Sequence, residues 1–358
     1  MRGKRRNSPE LPDASAGTPE ERRERARQDF TFFRRAYFPH YCLVGGDSRL
    51  HEWLDAELPR MADAPEGVRL AIAAPRGEAK STFVSLFFVL WAVLTGRKHY
   101  ILIIADALEQ AASLLGAVKD ELEFNEALKR DFPGAGKGHV WNVGTVVTPG
   151  NVKIQALGAG KRMRGLRHGP HRPDLIVLDD LENDGNVDKP EQRDKLQSWL
   201  QKTVLNLGAA DGSMDVVYVG TLLHYDSVLA RTLRKPLWKA RTFRSILRWP
   251  DRMDLWDEWE SLLSSRGEAE ARRFYRQHRA KMEAGAEVSW PASRPLYRLM
   301  CLRAEDREAF DSEQQNDPLS ANEAPFNGCI TFWVDRSRDW LLFGAVDPSL
   351  GKQGAGRD

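Results

Sequence analysis

Cysteine is scarce in this chain of 358 residues, and what there is does not pair up: Cys42, Cys301 and Cys329 stand far apart, are odd in number and show no C-x-x-C spacing. That argues against a disulfide framework and against a zinc site, and it fits a reducing cytosol. Long apolar runs are missing too. The most apolar segment, Thr82 to Leu94, falls short of the roughly 20 residues a bilayer requires, and the charged N-terminus has no apolar signal core behind it. Neither secretion nor membrane insertion is indicated. An excess of charge of one sign is also lacking, since 53 Lys+Arg against 51 Asp+Glu leaves +2. Any contact with nucleic acid must therefore come from local basic patches rather than from a bulk polycation. What is present is 42% hydrophobic residues with 11 Trp, enough for substantial cores and for two domains.

The organising stretch is Ala73-Ala74-Pro75-Arg76-Gly77-Glu78-Ala79-Lys80-Ser81-Thr82, between the apolar runs Val68 to Ile72 and Phe83 to Leu94. It reads as strand, phosphate loop, helix. A nucleoside triphosphate needs bare backbone N–H groups around its phosphates, a lysine ammonium on the outer phosphates and a hydroxyl on Mg²⁺. Lys80 supplies the ammonium and Ser81 or Thr82 the hydroxyl. The strict G-x-x-x-x-G-K-[ST] pattern would place glycines at 74 and 79, where this chain has Ala74 and Ala79, with its only loop glycine at Gly77. The window alone also allows a lysine and two hydroxyls at the start of an ordinary buried helix.

Residues 1–28 mix Arg, Lys, Glu, Pro, Ser and Gly with few large apolar side chains, a composition that predicts a disordered arm. Its cluster Arg2, Lys4, Arg5, Arg6 reads as a solvated tail, with DNA contact the alternative. Aromatic-rich helical segments follow, with Phe30, Phe32, Phe33, Tyr37, Phe38 and Tyr41 ahead of Leu50, Trp53, Leu54 and Leu58. They suit either plain core or an adenine-facing lid. Tyr100 to Ala105 reads as a strand ending at Asp106, Leu108 to Phe124 as a helix, and Asn151 to Leu157 as a further strand. Gly158 to Gly169 is a glycine-rich loop carrying Lys161, Arg162, Arg164 and Arg167. Asp174 to Leu178 then delivers Asp179 and Asp180 to a strand's C-terminal end, the edge where open parallel sheets collect ligands. One carboxylate on rigid backbone near a nucleotide-bound Mg²⁺, and a neighbour to orient or deprotonate water, is what triphosphate hydrolysis requires. A helix from Pro190 to Leu205 and a strand Met214 to Val219 follow. That strand ends in Gly220 and Thr221, a hydroxyl suited to sensing phosphate.

In this order the pieces resemble the large subunit of tailed-bacteriophage terminase, the motor that pumps DNA into preformed capsids. The resemblance is carried by the loop Ala74 to Thr82 with its arginine, by Leu175-Ile176-Val177-Leu178-Asp179-Asp180 as Walker B strand, and by Gly220-Thr221 as coupling motif. Val288-Ser289-Trp290-Pro291, Phe310 to Pro318 and Phe343-Gly344-Ala345-Val346-Asp347-Pro348 continue it. It implies an α/β P-loop NTPase of RecA/ASCE type, a mostly parallel sheet flanked by helices. A helical linker segment and the first strand of an RNase H-like nuclease domain would come after it. The expected division is 1–28 arm, 29–250 ATPase, 251–335 linker and 336–358 the beginning of an incomplete nuclease domain. The nucleotide ATP would lie on Arg76, Gly77, Glu78, Ala79, Lys80, Ser81, Thr82, Gly220 and Thr221, with Mg²⁺ at Ser81 and Asp179. Arg76 or Arg164 would serve as arginine finger. The family usually has a glutamate directly after the Walker B aspartate; here that place holds Asp180, one methylene shorter, so Asp180 and Glu182 are both candidates for the base.

An RNase H-like site needs carboxylates from several strands around two metal ions, and only Asp347, with Asp358 as a candidate second acid, is present. The expectation is a whole motor with an incomplete nuclease and no nuclease activity. The family further implies double-stranded DNA, a terminase small subunit and a portal protein as partners, a homo-oligomeric ring, and a place in the host bacterial cytoplasm. Two alternatives are an inactive prophage remnant that keeps only binding to small subunit, portal or DNA, and an unrelated P-loop enzyme such as a helicase.

Overall fold

The computed structural model describes residues 17–42 and 44–318. The cluster Arg2 to Arg6 and the expected nuclease strand with Asp347 and Asp358 lie outside them. The strands, in chain order, are β1 (Arg69–Ala73), β2 (Tyr100–Ala105), β3 (Val140–Trp141), β4 (Thr145–Val147), β5 (Lys153–Gly158), β6 (Leu175–Asp179), β7 (Asp215–Gly220), β8 (Lys239–Thr242), β9 (Ile246–Arg248) and β10 (Glu287–Val288). The first eight form one mixed sheet in the order β3-β4-β5-β2-β6-β7-β1-β8. From β5 to β8 every neighbouring pair is parallel; β3 and β4 add antiparallel at one edge. This is an α/β fold, and β2, β6 and β7 are buried along their whole length, as parallel strands covered on both faces must be.

The pleat divides the core in two. Ile101, Ile103 and Ala105 of β2 face the cluster built with the Phe30–Tyr37, Arg49–Ala62 and Leu108–Phe124 helices. Tyr100, Leu102 and Ile104 face the opposite cluster with Leu200, Val204 and Val228, the alternation a strand's period of two imposes. The helix after the loop that follows β1 is π-helical over Thr82–Phe88 and α-helical over Val89–Leu94.

A third core stands apart from the sheet. Trp256, Trp259, Ala271, Met282, Leu299 and Phe310 pack together from the helices Met253–Arg266, Glu268–Met282, Leu296–Glu305 and Arg307–Glu313, with Trp256 and Trp259 ring centroids 5.5 Å apart.

One expectation is corrected. Composition predicts a disordered arm through residue 28, yet Pro19–Gln28 is a helix. A reciprocal capping box starts it, with Glu21 N–H donating to Thr18 Oγ1 at 3.3 Å and Thr18 N–H to Glu21 Oε2 at 2.7 Å. Tertiary partners then hold it. Arg22 forks onto buried Asp131 at 2.7 and 2.5 Å, and the Trp91 indole donates to Ala26 O at 2.8 Å. Burying a charge against a distant charge is invisible to composition. Among the described residues no helix is long and apolar enough to cross a membrane.

Candidate active site

Three strand ends meet at one edge of the sheet because β7 lies between β1 and β6. Beyond β1, Ala74 N–H donates to Gly220 O at 2.9 Å, so the loop Ala74 to Ser81 starts hydrogen-bonded to the end of β7. The loop then turns through two left-handed residues, Gly77 with φ +79° and Ala79 with φ +56°. Ala79 stands where the strict pattern has glycine and takes the left-handed conformation regardless, at a cost on the order of 1–2 kcal/mol for a residue bearing a Cβ. The substitution changes the cost of the turn and leaves its sense intact.

Lys80, almost fully buried, points its ammonium at the other two strands. Its Nζ lies 3.1 Å from Thr221 Oγ1 and 3.3 Å from Asp180 Oδ2, while Thr221 Oγ1 donates in turn to Ala74 O at 3.2 Å. Of the two hydroxyls left open by the sequence, Ser81 is the one that meets the end of β6: Ser81 Oγ donates to Asp179 Oδ1 at 3.0 Å. Ser85, one helical turn on, donates to Asp179 Oδ2 at 2.5 Å; nothing in its sequence context singles it out. Thr82 lines a separate pocket. Burial, and next the charge of Asp180, push the Asp179 carboxyl well above the usual aspartate range. A cation there would reverse that shift, and the hydroxyl and carboxylate oxygens present are the hard donors that suit Mg²⁺.

Asp180 leaves the end of β6 in the left-handed region, φ +45°, fixed by its N–H to Val219 O at 3.0 Å and by Asp106 N–H to its carbonyl at 3.2 Å. A third of its side chain is exposed. It faces a 170 Å³ cleft lined also by Arg76, Asp106, Glu182 and Thr221. Glu182, the second candidate base, is otherwise engaged. Its Oε1 accepts from Val228 N–H at 2.7 Å, and its Oε2 from Leu229 N–H at 3.0 Å and Tyr218 Oη at 3.2 Å. It caps the Val228–Leu233 helix with both oxygens, so the free carboxylate beside Lys80 is Asp180.

Two loop residues have their side chains engaged by other parts of the chain. Glu78 is completely buried; its Oε2 accepts from Ser289 Oγ at 3.2 Å, its Oε1 has no partner among the described residues, and burial raises its pKa. Only its main chain is available to a nucleotide, and its carbonyl is held by His51 Nε2 at 2.9 Å. Arg76 is exposed and pairs through Nη1 with Glu313 Oε1 at 2.7 Å, its N–H donating to Glu313 O at 2.9 Å. The loop cations Arg162, Arg164 and Arg167 are exposed and form no ion pair among the described residues, and no hydrogen bond ties Arg164 to the Lys80 cluster. Met163 anchors their loop in the core.

The helical third core reaches this edge at several points that sequence reasoning missed. Besides Ser289 and Glu313, the guanidinium of Arg294 lies on Gly77 and bonds Gln314 Oε1. Asn316 accepts from Leu222 N–H at 2.9 Å and donates to Phe243 O at 2.8 Å. On the other side of the loop a 320 Å³ pocket is lined by Tyr41, His51, Ala79, Thr82, Phe83 and Trp290, among others. His51 stacks on Phe83 at 4.2 Å. Of the aromatic residues ahead of the loop, Phe30, Phe33, Tyr37 and Phe38 are core, and Tyr41 alone of that series lines the pocket.

No family model matches the chain, and no curated protein matches it. Among solved structures it is similar to the large terminase ATPase domain of Thermus phage P74-26. The TM-score to an arginine-to-alanine mutant of that domain is 0.33, with 13% identity over 71% of this chain and 90% of that one; for a second structure of the domain the values are 0.34 and 15%, over 61% and 90%.

Proposed function

We propose that this chain is a Mg²⁺-dependent ATPase of the terminase type, the motor subunit of a phage DNA-packaging machine. The observation that carries the reading is the convergence of Lys80 with Asp180 and Thr221 while Ser81 bonds buried Asp179. These groups come from the ends of three different strands and supply, at one point, the cation, carboxylates and hydroxyls that phosphoryl transfer uses. In this reading Lys80 holds the outer phosphates, and the Gly77–Lys80 main chain wraps them. Ser81 and Asp179 hold Mg²⁺, which when bound neutralises phosphate charge. Asp180 orients and deprotonates the attacking water from the cleft beside Lys80, and the base of the nucleotide stacks in the pocket of Tyr41, His51 and Trp290. Thr221, touching Lys80 and tied to Ala74, reports the phosphate state to β7.

Double-stranded DNA, a terminase small subunit and a portal protein are the partners this reading gives the chain, in a homo-oligomeric ring in the host cytoplasm. The exposed loop cations, without an ion pair among the described residues, support an anionic or inter-subunit contact for the β5–β6 loop. The test is ATP turnover by the purified chain with and without double-stranded DNA, followed by packaging into procapsids with small subunit present. Absence of any Mg²⁺-dependent turnover, with nucleotide binding unaffected by Lys80→Ala, would overturn it.

A further inference from the structure

The phosphate loop keeps one glycine, Gly77, in the left-handed region at φ +79°, and a side chain from elsewhere lies against it. A Cβ built on Gly77 would stand 1.9 Å from Nη2 and 3.0 Å from Cζ of Arg294. A Cβ there would require that guanidinium, the far end of a flexible side chain, to move aside. Gly77 also lies in the loop segment whose N–H groups face the outer phosphates of a bound nucleotide.

Arg294 has no carboxylate within ion-pair distance among the described residues, and only the longer-range attraction of Glu78 offsets its charge. The buried arginines are matched by carboxylates: Arg22 by Asp131, Arg34 by Asp47 and Asp55, and Arg193 by Asp226. Arg294 makes no ion pair among the described residues, and its one side-chain bond there runs from Nη1 to the neutral Gln314. Partial burial lowers its pKa, the mark of a cation that its surroundings do not fully compensate. Glu78, whose charge acts on Arg294, bonds Ser289 and leaves Oε1 without a partner among the described residues. A guanidinium has five N–H donors in a planar fork that matches phosphate oxygens.

We propose that Arg294 is a contact residue for the terminal phosphate of the nucleotide, presented to the phosphate loop by the helical lobe. This rests on the ATPase reading of the Lys80 site and deepens it. The lobe places the residue firmly: Trp290 Nε1 donates to Gly46 O at 3.0 Å, Ser289 N–H to Ser245 O at 2.9 Å, and Arg294 N–H to Trp290 O at 2.8 Å. Arg76 is occupied by Glu313, so Arg294 is the loop's unmatched cation on this side. A bond to the terminal phosphate exists with ATP and not with ADP, and Arg294 thereby gives the lobe, through Gln314 and its neighbours Glu313 and Asn316, a direct report of which nucleotide is bound.

The experiment compares ATP and ADP affinities of the full chain in Mg²⁺, by calorimetry under non-turnover conditions, for wild type, Arg294→Ala and Arg294→Lys, with melting temperatures alongside. A charge-assisted bond is worth about 1.5–3 kcal/mol, so Arg294→Ala is expected to weaken ATP roughly 10- to 100-fold and leave ADP within twofold. Arg294→Lys recovers part of the loss, because a point charge replaces the fork. Equal losses for ATP and ADP, or affinities unchanged in a folded Arg294→Ala, overturn the proposal while the Lys80 site stands. Wild type that binds neither nucleotide overturns both.

Discussion

The two candidate bases can be separated by one pair of isosteric substitutions, Asp180→Asn and Glu182→Gln. Asp180 sits at φ +45°, where asparagine is among the few side chains at ease, so the amide enters without backbone strain. Lys80 keeps Thr221 as a partner at 3.1 Å, and the Asp179–Ser81 bond is untouched. Nucleotide binding should therefore persist, while loss of the base lowers turnover by about 10²–10⁴-fold. Glu182→Gln acts elsewhere. One of its two oxygens becomes an NH₂ that cannot accept, so either Val228 N–H or Leu229 N–H is left unsatisfied in a buried setting. That costs roughly 1–3 kcal/mol of stability, read as a lower midpoint in urea, with turnover per folded molecule within a few-fold of wild type. The assay is steady-state phosphate release at saturating ATP, normalised to the folded fraction by circular dichroism. An active Asp180→Asn beside a folded, inactive Glu182→Gln would refute the assignment and with it the argument that a capping carboxylate is unavailable for catalysis.

Lys80→Ala should abolish ATP hydrolysis and weaken nucleotide binding while the melting temperature stays close to wild type, since Lys80 contributes charge at a sheet edge and not packing; calorimetry and phosphate release check it. Asp179→Asn should weaken Mg²⁺-dependent binding itself, seen as loss of the Mg²⁺ effect on nucleotide affinity. Arg164→Ala is expected to lower turnover by the roughly 10³–10⁵ of an arginine finger only where subunits meet, so wild-type specific activity should rise with protein concentration; activity flat with concentration in both proteins counts against a finger acting across subunits. Acid stability reads the N-terminal helix. Burial alone would raise the Asp131 pKa, but bonds from Arg22, Arg130 and Tyr37 outweigh it and bring it from 3.8 to about 2. Its contribution is therefore present above pH 3.8 and lost as pH falls towards 2. In Asp131→Asn the unfolding free energy should be lower at neutral pH and fall less steeply across that window, as measured by urea titrations at each pH.

What is legible in the sequence follows from burial. β2 matches the apolar run Tyr100 to Ala105 residue for residue, and Leu108–Phe124 is the helix its spacing predicts, because a strand or helix between two layers shows its burial as composition. β6 and β7 shift by a single residue from the expected runs. β8, in contrast, is exposed at every position and carries Lys239 and Arg241. Nothing apolar marks it, and it is a strand because β1 offers an open edge, to which its charges are no obstacle and which they help to protect from further pairing. The Pro19–Gln28 helix is illegible for a related reason: its first turn is written in Thr18 and Glu21, but its persistence depends on Asp131 and Trp91, residues a local window cannot see.

The site divides along the same line. Lys80, Ser81, Asp179, Asp180 and Thr221 are readable because each sits at the end of a legible strand or the start of a legible helix. Glu182 is readable as an acid near the right place but not as a bound one, since the helix it caps begins at Val228 and only folding brings the two together. Ser85 looks like one more small residue in an apolar helix until Asp179 is placed beside it. Gly77 is the sharpest case. Phosphate-loop glycines are ordinarily explained by the close approach of phosphate and by left-handed backbone, and Ala79 in this chain shows that a left-handed position can be held by alanine. Gly77 lies at φ +79°, beyond the roughly +50° to +70° open to a residue with a Cβ, whereas Ala79 at +56° lies inside it. Beside this backbone difference, the flexible guanidinium end of Arg294 occupies the space a Cβ would take at 77. The glycine thus answers first to its left-handed backbone, and the helical lobe, through Arg294, packs against the face that glycine leaves open.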